Sequence, residues 1–73
     1  MDKQRLKEIM NNPESNSRAL KIMCEAILNG ETDKNTLLEL VVDAYNSGKN
    51  RKPSYIMSAF NYYYRFLKKE VLK

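Results

Sequence analysis

The chain contains no histidine, one cysteine, two glycines and two prolines among its 73 residues, and no long apolar run. Without histidine there is no imidazole base, no catalytic triad of the common kind and no zinc site built on His. Cys24 alone closes no intrachain disulfide and supplies no cysteine cluster. Its place between Met23 and Glu25 in a helical pattern fits a buried thiol in a reducing cytoplasm. No stretch approaches the roughly 18 consecutive apolar residues of a membrane span. Met1 to Met10 alternates charged with apolar residues and lacks the apolar run of a signal peptide. The expectation is a soluble, unprocessed, cytoplasmic chain. A chain this short buries only about 60% of the surface it exposes when unfolded, enough for one domain over residues 1–73 with a small core and no deep substrate cavity. A non-catalytic binding module is therefore expected, with no cofactor and no metal.

The few glycines and prolines sit where a helical protein places its punctuation, and no period-2 strand pattern lies between them. The fold class is all-α: a compact bundle of four helices, the first short, the C-terminal helix longest and central. The first helix is expected from about Asp2, a capping residue, through Leu6, Ile9 and Met10, stopping at Asn11, Asn12 and Pro13. Pro13 is then read as the first turn of the second helix, with Asn12 as its cap. Leu20, Met23 and Ile27 form its stripe, and Asn29 and Gly30 end it. Thr32 or Asp33 opens the third helix, whose apolar Leu37, Leu38, Val41, Val42 and Tyr45 run on until Asn46, Ser47 and Gly48. The last helix, about Pro53 to Val71, carries Ile56, Phe60, Tyr63, Leu67 and Val71 as one inward seam.

Charge is unevenly distributed. Residues 1–48 carry six cations and eight anions, whereas residues 49–73 carry seven cations and one anion, so the net +4 hides a strongly basic C-terminal third. Six of the seven aromatics lie in that third. Projected at about 100° per residue, Ser54, Ser58, Asn61, Arg65, Lys68 and Lys69 share one polar sector opposite the seam, free of carboxylates. Tyr55 and Tyr62 border it on one side, Met57 and Tyr64 on the other, and Lys49, Arg51 and Lys52 arrive just before the helix. Cations that replace phosphate counterions, small hydroxyls and amphipathic rings are what a nucleic-acid surface needs. DNA or RNA is thus the expected partner, through Lys49, Arg51, Lys52, Ser54, Tyr55, Ser58, Asn61, Tyr62, Arg65, Lys68 and Lys69. Size and charge suit a small phage or bacterial protein of replication or regulation. The blander account is that Lys68, Lys69 and Lys73 serve the helix dipole and solubility, while the tyrosines bury their ring faces and keep their hydroxyls wet. A membrane surface is not expected as partner, because Ile56, Phe60, Tyr63 and Leu67 are needed for the core.

From Ala44 onward the order of residues resembles the C-terminal part of DnaD-like replication-initiation domains. The resemblance rests on Ala44, Gly48, Lys49 and Arg51, followed by Tyr55 and Ile56. Ala59 and Tyr63 stand where that family has a branched apolar residue and a tryptophan. It implies DNA binding in replication, with Tyr55 and Tyr63 near the functional surface, whereas the helical projection buries Tyr63.

Other chemistry has little footing. Glu25, Glu31, Asp33, Glu39 and Asp43 form no acid and base pair with an evident partner, and Gly48-Lys49 lacks the upstream glycine and strand of a phosphate loop. The third and fourth helices are also compatible with a helix-turn-helix, which would send Arg51, Lys52, Ser54, Tyr55 and Ser58 into a major groove. The competing class is a protein-interaction module, an inhibitor, adaptor or immunity-type protein binding a partner or a second copy through Met57, Tyr62 and Tyr64. Phosphate binding would weaken steeply with salt; an apolar interface would not.

Overall fold

The computed structural model describes residues 2–14, 17–47 and 53–72. They form four α-helices: α1 (Lys3–Met10), α2 (Arg18–Leu28), α3 (Lys34–Asn46) and α4 (Pro53–Glu70). No strand occurs among the described residues. The all-α four-helix bundle expected from the sequence is the fold, with α1 the shortest element and α4 the longest.

Capping explains where the helices begin and end. Asp2 accepts hydrogen bonds from the amides of Gln4 and Arg5, and Asp33 accepts from the amide and the hydroxyl of Thr36. These carboxylates satisfy amides that have no partner within the helix. At the end of α2 the Gly30 amide donates to the Ile27 carbonyl and the Glu31 amide to the Ala26 carbonyl. This pair of bonds needs a left-handed residue between them, and Gly30 supplies it at φ +100°.

One boundary differs from expectation. Asn12 and Pro13 do not start α2; the Asn12 side chain instead accepts from the Glu14 amide at 3.0 Å, closing a local turn. An Asn side chain that bonds two residues ahead competes with helix formation. The helix begins five residues later, where Ser17 caps the Leu20 amide at 3.3 Å.

The core consists of Leu6 and Ile9 from α1, Leu20, Met23, Cys24 and Ile27 from α2, Leu37 and Val41 from α3, and Ile56, Phe60 and Leu67 from α4, together with Ala19 and Val71. The seam read from α4 is inward-facing, with Tyr63 half-buried at its edge. On α3 the apolar stripe is broader than the buried one: Leu38, Val42 and Tyr45 are half-buried and Leu40 is exposed. The helix packs on two neighbours and its outer apolar positions have none to cover them. α2 packs against each of the other three helices and so holds the central place expected of the C-terminal helix, while α4 packs against α2 and α3.

Two contacts fix the relation of α3 to α4. Lys34, at the start of α3, lies over the Tyr64 ring, and Tyr45, near its end, stacks on Tyr55. The two helices therefore run antiparallel to one another. Arg5 and Glu70, joined at 3.3 Å, tie the first turn of α1 to the end of α4. The radius of gyration, 11.7 Å, is close to the roughly 11 Å of a compact chain of this length, and the shortest extent, 19 Å, corresponds to two helix layers.

Candidate nucleic-acid interface

The polar sector read from the sequence of α4 is exposed as projected: Ser54, Ser58, Asn61, Arg65, Lys68 and Lys69 all face solvent. Among the described residues, the ion pairs are Arg5 with Glu8 and Arg5 with Glu70. Glu70, the one carboxylate side chain of the C-terminal third, is thus drawn toward α1, while Arg65, Lys68 and Lys69 enter no ion pair among those residues. Lys49, Arg51 and Lys52 lie outside the described residues.

The two borders of this sector are not alike. On one border Tyr64 is half-buried, stacked on Phe60 at 5.6 Å between centroids, with the Lys34 ammonium 5.4 Å from its ring centre. Lys34 stands at the positive end of α3, where a cation is disfavoured, and the tyrosine face offers it a negative surface. Met57, on the same border, is 40% exposed. Tyr64 is therefore engaged within the fold, unlike the free ring expected for partner binding.

On the other border the rings are open. Tyr55 is 59% and Tyr62 70% exposed. Tyr55 rests one face on Tyr45 at 6.3 Å, and Tyr63 meets Tyr62 edge-on at 5.1 Å and 88°. A surface groove of about 710 Å³ separates these side chains from the beginning of α2, with Ser17, Arg18, Ser58 and Ala59 completing its walls. Tyr45 anchors the floor: its hydroxyl accepts a hydrogen bond from the Ala19 amide at 3.2 Å, tying the end of α3 to the first turn of α2. A second groove, about 330 Å³, continues past Tyr62 and Tyr63 to Phe66 and is bounded by Arg5, Glu8 and Glu14. The first groove has no carboxylate in its lining; the second has two.

Ser58, Tyr55 and Tyr62 thus meet at one groove, with Arg65 and Lys69 on the adjoining face of α4. Sequence reasoning missed Arg18 and Tyr45 as wall and floor residues, and its helical projection buried Tyr63, which only the family resemblance set near the functional surface. The solitary position of Tyr45 outside the aromatic-rich third was a signal, but its role depends on where α2 starts.

Cys24 is fully buried, and burial pushes its thiol up to about 11, which keeps it protonated and unreactive near neutral pH. Among the described residues no three His, Cys, Asp or Glu side chains come together, and no helix is long and apolar enough to cross a membrane. No protein-family model, curated protein or solved structure matches the chain.

Proposed function

We propose that the protein binds nucleic acid without catalysis, through phosphate contacts along the basic face of α4. The observation that carries this reading is the solvent-facing sector from Ser54 to Lys69, in which three cations stand without an ion pair among the described residues and the neighbouring Glu70 is engaged by Arg5. Cations held on a rigid helix replace condensed counterions along a phosphate backbone, and serine and asparagine side chains add hydrogen bonds to phosphate oxygens. The sequence adds Lys49, Arg51 and Lys52 directly before α4. The resemblance to DnaD-like domains implies Tyr55 and Tyr63 at the functional surface, and both line the larger groove.

The test is fluorescence anisotropy of labelled DNA and RNA against wild type and the double variant Arg65→Glu, Lys69→Glu at several salt concentrations. Both residues are exposed, so the variant keeps its fold, checked by circular dichroism. Wild-type affinity should fall steeply with salt, and the variant should bind at least about tenfold more weakly at low salt with a shallower salt slope. Equal affinity and equal slope for the two proteins would refute the assignment.

The protein-interaction reading draws support from Met57 and Tyr62, which are exposed, but not from Tyr64, which is covered. Its signature is association that survives charge reversal on α4 and is lost in Tyr62→Ala.

A further inference from the structure

The larger groove goes beyond what phosphate binding requires. Its lining combines four tyrosines with Arg18 and two serines and includes no carboxylate. We propose that this groove seats unpaired bases, so that the protein takes single-stranded nucleic acid in preference to duplex. The inference rests on the nucleic-acid reading above and specifies its substrate class.

Ring geometry is the first support. Tyr55 has one face on Tyr45, and its 59% exposure leaves the other face to solvent; Tyr62, braced edge-on by Tyr63, is 70% exposed. Rings already oriented by neighbours lose little freedom when a base stacks on them, which lowers the entropic cost of binding. Every base has a π-face, so stacking of this kind tolerates any sequence.

Spacing is the second. Tyr55 and Tyr62 are two turns apart on α4, about 10 Å along the axis at 1.5 Å per residue, which leaves room for a short run of strand from one ring to the other. Arg65 and Lys69 continue on the adjoining face of the same helix, and Arg18 stands on the opposite wall. Bases in the groove would thus leave the backbone beside cations. Two amides of the first turn of α2 are already bonded, to Ser17 and to Tyr45, which leaves the Arg18 guanidinium as the anion partner on that wall.

Charge selects between occupants. An acidic or phosphorylated peptide would satisfy Arg18 but would not need a row of open rings. A duplex has its base faces stacked already and presents only groove edges and phosphates. The smaller groove beside Phe66 has Glu8 and Glu14 with Arg5 at its rim, a net negative lining that disfavours a phosphate chain relative to the larger groove.

The experiment titrates full-length protein into labelled 12-nucleotide oligothymidine, oligouridine and a matched duplex, using wild type, Tyr62→Ala, Tyr62→Phe and Arg65→Ala. Wild type should prefer the single strands, and tyrosine fluorescence should be quenched on binding. Tyr62→Ala should weaken single-strand binding by about 5- to 150-fold without changing the salt slope, whereas Tyr62→Phe should keep affinity because the ring remains. Arg65→Ala should lower the slope by about 0.7. Equal binding of duplex and single strand with Tyr62→Ala unchanged, while Arg65→Ala still lowers the slope, overturns the groove and leaves the basic face standing. Absence of binding to every oligonucleotide at low salt overturns both.

Discussion

The two borders of the basic sector of α4 begin from similar chemistry and end in different states. One carries Tyr64 and Met57, the other Tyr55 and Tyr62. On the first, α3 runs antiparallel beside α4 and delivers Lys34 onto the Tyr64 ring, which is also stacked on Phe60. On the second, α2 starts late and its first residues leave a groove beside α4, whose floor is held by Tyr45 and whose rim is open rings. A tyrosine beside an apolar seam is thus a structural brace or a free binding surface according to which helix arrives beside it. Residue type alone does not decide.

The largest effect should come from removing the core side chain on which the covered border rests. Phe60 is fully buried and stacks on Tyr64. Phe60→Ala is expected to cost about 3–5 kcal/mol, comparable with the whole stability a core of this size supplies. Urea denaturation should show a protein largely unfolded in buffer. A folded variant would mean that α4 is held chiefly by its ends.

A smaller and more selective change is Tyr45→Phe. It keeps the ring under Tyr55 but removes the acceptor for the Ala19 amide, and Ala19 is itself fully buried. The expected loss is about 1 kcal/mol in the same denaturation experiment. Hydrogen exchange at the start of α2 should accelerate while that of α4 is unaffected, which separates the floor of the groove from its rim.

The smallest effect concerns the covered border. Lys34→Ala removes a cation from the ring of Tyr64 but also relieves an unfavourable charge at the positive end of α3, so the single change should be close to neutral. A double-mutant cycle with Tyr64→Ala should still show a coupling of about 0.5–1 kcal/mol. Zero coupling would reduce the Lys34–Tyr64 contact to proximity, and with it the contrast between the two borders.

Much of this architecture was legible in the residues. Asp33 and Gly30 act where their types predict, because a short carboxylate side chain and a residue without Cβ answer local backbone needs that any helix end has. The polar sector of α4 followed from a period of 3.6. The start of α2 was not legible: Asn12 and Pro13 are acceptable as helix starters, yet Ser17 is the cap of the Leu20 amide, and the neighbouring Ala19 amide donates to Tyr45, 26 residues away. Missing that boundary hid the groove, since Arg18 becomes a wall residue only when the helix begins there. The fate of Tyr64 was hidden for a similar reason. Periodicity places it at the edge of the seam, but the cation that covers it belongs to another helix.

By itself the sequence determined four helices, the ends of most of them, a core drawn from their apolar stripes and a basic face on the last. These follow from local backbone chemistry and from the burial of periodic side chains, which act within a turn or two of the chain. Only the tertiary structure decided which tyrosines are open, that α3 and α4 run antiparallel, and that one border of the basic face is a groove. Those outcomes depend on contacts between residues 26 and 30 positions apart, such as Tyr45 with Ala19 and Lys34 with Tyr64, and nothing local specifies them.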